Sequence, residues 1–331
     1  MTDGGGSEHQ WGPAGAGAGD GTHRVTLGDD VLDQYRRFSL YNSPYPAHDA
    51  GCAIDLYPGD SDPDAGLATA APSPVGGTVR ETRTVRAPPK PYAPDHDHLL
   101  LVDVETPAPL RGLVARILHV APAVEAGDRV AIGDDLGTLV RAGFFAPWVG
   151  THLHVGFRTA KQNLHRASGS LPIDLGVAVR PLAWDGTGTV VATGETCAIL
   201  DAPGHPSPGD EWVGIAADDG GVLDGGLPHY ETGGVLHGTD ESRPTNESPQ
   251  GAEPAPEGEW SAQSVRLNGD AIGRADGRTI HWGDATVLVD GEPVTGLSLS
   301  CARDDGFGAK LICPDRAFAI GDRVRVSIAH Q

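Results

Sequence analysis

Apolar and polar residues alternate along this chain in short runs, and almost nowhere at the spacing of a helix. Between Gln34 and Leu200 the alternating or wholly apolar segments are 77–85, 99–105, 114–120, 129–140, 152–158 and 189–200, each bounded by glycine or proline. A period of two is the mark of a strand with one buried face, and no segment sustains the 3.6-residue period of an amphipathic helix. After residue 260 the pattern resumes in shorter runs at 264–267, 279–282, 286–289, 297–302, 310–313 and 323–328. Asn268-Gly269, Asp276-Gly277 and Asp290-Gly291 join several of these runs, and Asn-Gly and Asp-Gly are the strongest short hairpin signals. The pattern predicts an all-β protein of antiparallel sheets, with a second, smaller C-terminal β domain.

Composition sets the expected boundaries. Residues 1–22 are glycine-rich, hold too little apolar surface to offset the entropy of ordering, and read as a disordered tail. Residues 23–238 form the larger β domain, in which 201–238, with Trp212, Val213, Ile215 and Tyr230, reads as a hairpin packed on the rest. Residues 239–259 are acidic and proline-rich and read as a linker, leaving 260–331 as a small barrel or sandwich. Nothing in that last segment suggests catalysis.

The run Thr151-His152-Leu153-His154-Val155-Gly156-Phe157-Arg158 is the most informative chemistry in the chain. In a strand, Leu153, Val155 and Phe157 point to one face, and both imidazoles point to the other. By themselves, two histidines on one polar row read as an exposed strand edge with incidental imidazoles, and the rest of the chain decides between that and a functional pair. Asp95-His96-Asp97-His98 looks similar, but it follows Pro88, Pro89, Pro91 and Pro94 and opens an apolar strand, so it reads as a solvated loop with polar strand-entry residues. His165, His205, His229, His237, His281 and His330 have no partner at ligand spacing and read as surface or loop residues.

Further segments accompany the His-x-His strand. Upstream lie Pro46-Ala47-His48-Asp49-Ala50-Gly51-Cys52-Ala53-Ile54-Asp55, then Ala71-Pro72-Ser73-Pro74-Val75-Gly76-Gly77-Thr78-Val79, then Ala115-Arg116-Ile117-Leu118-His119-Val120 with Val124-Glu125-Ala126-Gly127-Asp128-Arg129-Val130. In type and order these segments resemble the metal and hairpin motifs of the lysostaphin-like (LytM-type) zinc metallopeptidases, of duplicated hybrid motif fold. The resemblance covers about residues 40–160. It implies a metallopeptidase-like antiparallel core around a groove, with Zn2+ held by His48, Asp55 and His154, and His119 and His152 as the catalytic pair that orients or deprotonates water and stabilises the carbonyl oxygen. The implied function is a zinc-dependent hydrolase that cleaves peptide bonds by metal-activated water. The alternative is a non-catalytic peptide- or partner-binding module that keeps the fold.

One departure concerns the carboxylate. Six residues separate His48 from Asp55, where the family has three, so Asp49 and Cys52 compete as ligands. Cys52, Ile54 and Leu56 alternate as an apolar face, which leaves Asp55 on the opposite one and makes it the best candidate. The Gly-Asp-x-Val segment also resembles biotin- and lipoyl-carrier hairpins. No lysine lies between Lys90 and Lys161 to serve as their acceptor.

Charge narrows the partners. The chain carries 45 acidic and 24 basic residues, a net charge of −21, and its lysines are Lys90, Lys161 and Lys310. Such a surface resembles those of proteins working in concentrated salt, and it would repel a nucleic acid. A peptide substrate is expected, with no nucleic acid and no membrane as partner; the sequence assigns no oligomeric state. The amino terminus lacks the basic and apolar regions of a signal peptide and no apolar run reaches transmembrane length, so a cytoplasmic location is expected. Cys52, Cys197, Cys301 and Cys313 are too scattered for a disulfide framework.

Overall fold

A computed structural model describes residues 24–59, 69–237 and 263–330. The described residues are almost wholly β, and the helices among them are short turns such as Asp29–Leu32 and Pro46–Asp49. The segments expected from alternation are strands: Gly76–Arg86, His96–Thr106, Leu113–Leu118, Leu153–Thr159 and, beyond residue 260, Thr279–Trp282, Ala285–Val289 and Arg323–His330. Asn268-Gly269 and Asp290-Gly291 place both residues at positive φ (56° and 86°; 52° and 83°), the conformation of a type I′ hairpin turn, which their residue types tolerate.

Ten strands form the sheet that carries the histidines. Its order runs Val179–Leu182, Trp212–Ile215, Cys301–Ala302, Arg37–Ser39, Ile54–Tyr57, Leu153–Thr159, Leu113–Leu118, His96–Thr106, Gly76–Arg86, Arg129–Val130. All neighbours are antiparallel except the first pair. Leu153, Val155 and Phe157 are fully buried on one face, in a core with Ile54, Leu56, Leu100, Val102, Ala115 and Ile117. Each buried Leu, Ile, Val or Phe among them contributes about 1.5–3 kcal/mol by leaving water, and together they fix which face the intervening residues occupy. The opposite face holds His154 with its in-register neighbours Asp55 and Leu118.

The strand pairing divides the chain elsewhere than composition does. A twelve-stranded sheet pairs Val222–Leu227 with Gly296–Leu299, Thr232–Leu236 with Thr279–Trp282, Cys197–Leu200 with Lys310–Ile312, and Thr187–Thr193 with Arg323–His330. Residues 201–238 are therefore not a hairpin resting on the first domain, and 260–331 is not a free-standing unit. Both belong to one C-terminal domain that begins near residue 180, with its own core containing Val190, Leu223, Val235, Ile272, Ile280, Val287, Leu297 and Leu311. Composition along the chain carries no information on which strands pair across a polar, proline-rich stretch. The 1–22 tail and the 239–259 linker lie outside the described residues.

Candidate metal centre

Side chains from three segments meet on the polar face of the ten-stranded sheet. Asp55 and His154 lie opposite each other in register, and His154 Nδ1 is 3.0 Å from Asp55 Oδ1. His48 enters from the turn Pro46–Asp49, with Nε2 3.0 Å from His154 Nδ1 and 3.3 Å from Asp55 Oδ1. The donor atoms of these three residues all fall within 4.8 Å of one another, close enough to share one cation.

The six-residue spacing between His48 and Asp55 is absorbed locally. After the helical turn the Gly51 amide bonds the His48 carbonyl, and the Cys52 amide bonds the Ala47 carbonyl. Gly51 turns the chain at φ 60°, where a Cβ would lie 2.8 Å from the Tyr41 hydroxyl, so this reversal needs glycine. Asp49 and Cys52, the competing ligands, face elsewhere. Asp49 accepts a hydrogen bond from the Thr232 hydroxyl at 2.6 Å, and the half-buried Cys52 Sγ lies 3.6 Å from the Ala50 carbonyl.

Hydrogen bonds fix the ring protons. His48 Nδ1 donates to the Leu40 carbonyl at 2.6 Å, which turns its Nε2 toward Asp55 and His154. His152 Nδ1 donates to the Gly150 carbonyl at 2.9 Å, and its Nε2 is 3.4 Å from Asp55 Oδ2. Burial pushes both His152 and His154 down to about 4, the opposing pull of Asp55 notwithstanding, so both rings are neutral near pH 7. Burial also acts on Asp55 and His48, but there the charges win. Asp55 is held well below the usual carboxylate range by His152 and His48, and His48 is raised by the charge and hydrogen bond of Asp55.

His119 reaches the cluster by a backbone reversal. It sits between the strands Leu113–Leu118 and Val120–Pro122 at φ 72°, an uncommon conformation for a non-glycine residue. Leu118 already points to the polar face, so regular alternation would turn residue 119 into the core; the left-handed residue re-aims the ring. His119 then lies 5.2 Å from His152 and 5.8 Å from His154, measured between ring centroids.

Asp97 holds His119 in place. Its Oδ2 accepts from His119 Nδ1 at 2.6 Å, and the carboxylate is fully buried. Burial alone would raise its pKa, but the charge and hydrogen bond of His119 bring it below the ordinary value. The reading of 95–98 as a solvated strand entry is thus correct for the exposed His96 and half-buried His98, and wrong for Asp97. The missed signal was its period: Asp97, Leu99 and Leu101 share one strand face. Of the remaining histidines, His165, His237, His281 and His330 are exposed, whereas His205 and His229 are half-buried.

The cluster is closely covered. Phe145 stacks on His152 at 4.4 Å and 17°, and meets His119 edge-on at 4.6 Å. The covering segment, residues 141–150, is tied down through its carbonyls: Tyr45 donates to Phe144, Tyr92 to Phe145 and Lys310 to Trp148. His154, at 15% side-chain exposure, is the most open of the five site residues.

Fold and site together define an all-β protein of two domains, with a buried cluster of two imidazoles and a carboxylate able to hold a metal ion. Family models described as the N-terminal and C-terminal domains of "Domain of unknown function (DUF8155)" match residues 26–175 and 180–329, and between them they span nearly all of the chain, which belongs to that two-domain family. No curated protein matches it. Among solved structures the chain is similar to one titled "A Novel M23 Metalloprotease Pseudoalterin from Deep-sea", at 14% identity over 43% of this chain and 73% of that one, with a TM-score of 0.28. Among the described residues, no helix is long and apolar enough to cross a membrane.

Proposed function

We propose that this chain is a zinc-dependent hydrolase of peptide bonds, with His48, Asp55 and His154 as ligands and His119 and His152 as the catalytic pair. The observation that carries this reading is the convergence of two imidazole nitrogens and one carboxylate oxygen within 4.8 Å. Three protein ligands of this kind, with a further position open, are the donor set of catalytic zinc sites. When bound, zinc would supply polarisation of the scissile carbonyl and a nucleophilic water at neutral pH. His152 is neutral, with its Nδ1 proton held by Gly150, so Nε2 is the atom free to accept a proton. His119, held on Nδ1 by Asp97, presents Nε2 to hold or release a proton where charge develops. Phe145 and the segment around it exclude water from both rings.

The second reading, a binding module without turnover, is favoured by that same cover. His119 and His152 are 6% and 3% exposed. Two measurements separate the readings. Protein purified without added metal should retain one zinc per chain through dialysis, and the zinc-loaded protein should cleave a mixed peptide library. Zinc without cleavage would favour the binding module; no zinc would remove the hydrolase.

A further inference from the structure

Three cations gather beside the histidine cluster in a chain with 45 acidic and 24 basic residues. Arg37 pairs in register with Tyr57 and lays its guanidinium over that ring at 4.3 Å; the same ring is 4.9 Å from His152. Lys310 donates to the Trp148 carbonyl at 3.0 Å, and Arg141 donates to the adjacent Pro147 carbonyl. Two positive side chains are thus drawn together on consecutive carbonyls of the segment that covers the site. None of the three forms an ion pair with a carboxylate among the described residues. Arg141 Nε is buried and meets no acceptor. Burial, with repulsion from Arg37 and Arg141, pushes Lys310 down to about 8.

Arg37 and Lys310 line one narrow cleft of about 20 Å³ where the two domains meet, with Ser298 and Ser300 beside them and an apolar wall that includes Ile199 and Phe307. Like charges left together in a half-buried cleft repel one another more strongly than in water, and an anion placed between them removes that cost. We propose that this cleft is a carboxylate-binding subsite, so that the substrate is a peptide whose free C-terminal carboxylate docks on Arg37 and Lys310, one ring away from His152. A planar guanidinium fork matches a carboxylate in two parallel hydrogen bonds, and the apolar wall suits the aliphatic groups next to it. This subsite rests on the hydrolase reading for its purpose, but not for its detection.

The test reads binding without turnover. Full-length protein, metal-free and zinc-loaded, is titrated calorimetrically at fixed salt with tetraalanine, with its C-terminal amide and with inorganic phosphate. Tetraalanine should bind about tenfold more tightly than the amide, the value of one charged hydrogen-bonded contact. Arg37→Gln and, separately, Lys310→Met should abolish that preference and leave the zinc content unchanged; if Lys310→Met does not fold, Arg37→Gln alone decides. Equal affinity for acid and amide would overturn the subsite, and so would phosphate binding more tightly than tetraalanine. Either result would leave the zinc measurement untouched, whereas loss of zinc with the acid preference retained would remove the hydrolase and keep the anion site.

Discussion

The Asp224 carboxylate accepts the Leu40 amide at 2.6 Å, and the carbonyl of the same Leu40 accepts Nδ1 of His48 at 2.6 Å. One residue of the C-terminal domain thereby fixes, through a single intervening residue, the ring orientation of a candidate ligand in the N-terminal domain. Asp224 also takes the Ser39 hydroxyl and the Tyr41 amide. Even so, burial outweighs these bonds and raises the carboxyl to about 6.

A pH dependence of stability follows. Because the folded value lies above the ordinary 3.8, the folded state binds this proton more tightly than the unfolded chain does. The contribution is complete below about pH 4, declines as pH rises through about 6, and is then absent. Asp224→Asn carries no such titration. The stability of the wild type minus that of the variant, from denaturant melts, should therefore fall between about pH 4 and pH 7 by at most ~3 kcal/mol, at about 1.4 kcal/mol per pKa unit. A constant difference would show that Asp224 titrates normally.

Substitutions at the five site residues should separate into two groups. His48→Ala, Asp55→Ala and His154→Ala should each lower zinc occupancy, measured by metal analysis after dialysis. His119→Ala and His152→Ala should keep the metal and lose hydrolysis, since they act on the transition state and not on ligation. Full zinc in Asp55→Ala, with loss in Asp49→Ala or Cys52→Ala, would reassign the carboxylate.

Asp97→Asn keeps the shape and removes the charge that orients His119. A supporting partner of this kind is worth about 10–100-fold, so hydrolysis should fall by that factor with zinc content intact. Unchanged kinetics would confine Asp97 to a role in folding.

Phe145 covers His152 and His119 and is itself 4% exposed. Phe145→Ala should cost about 3–5 kcal/mol, less where the segment can collapse onto the gap. It should also expose His152, so carbethoxylation at that residue, followed by mass spectrometry, should accelerate. An unchanged rate would mean that another group is the cover.

The net charge of −21 predicts stabilisation by salt. Screening shortens from about 30 Å at 0.01 M to about 3 Å at 1 M, so repulsion between carboxylates fades over that range. The melting temperature of the full chain should rise in KCl. The full chain is required, because residues before 238 find their strand partners after 262. A flat or falling melting temperature would dismiss the high-salt reading of the composition.

Much of this centre was legible because strands alternate. His152, His154 and Asp55 declared their face through the apolar residues between them, and the structure brings all three together. His119 was named by resemblance alone; its reach depends on one left-handed residue that no periodicity announces. Asp97 was hidden by its exposed neighbours, and Asp224 by its distance along the chain. The burial of Asp224 is set by Ser39, Leu40 and Tyr41, more than 180 residues away along the chain, and a local pattern carries no information about that.

The strand Cys301–Ala302 lies between Arg37–Ser39 and Trp212–Ile215, so the sheet that bears the histidines continues without a break into the other domain. Cutting the chain between the two halves would leave Arg37–Ser39 with a row of bare amides and carbonyls beside the site, a template for pairing with any other extended chain. Each half thus covers a strand edge that the other would leave open.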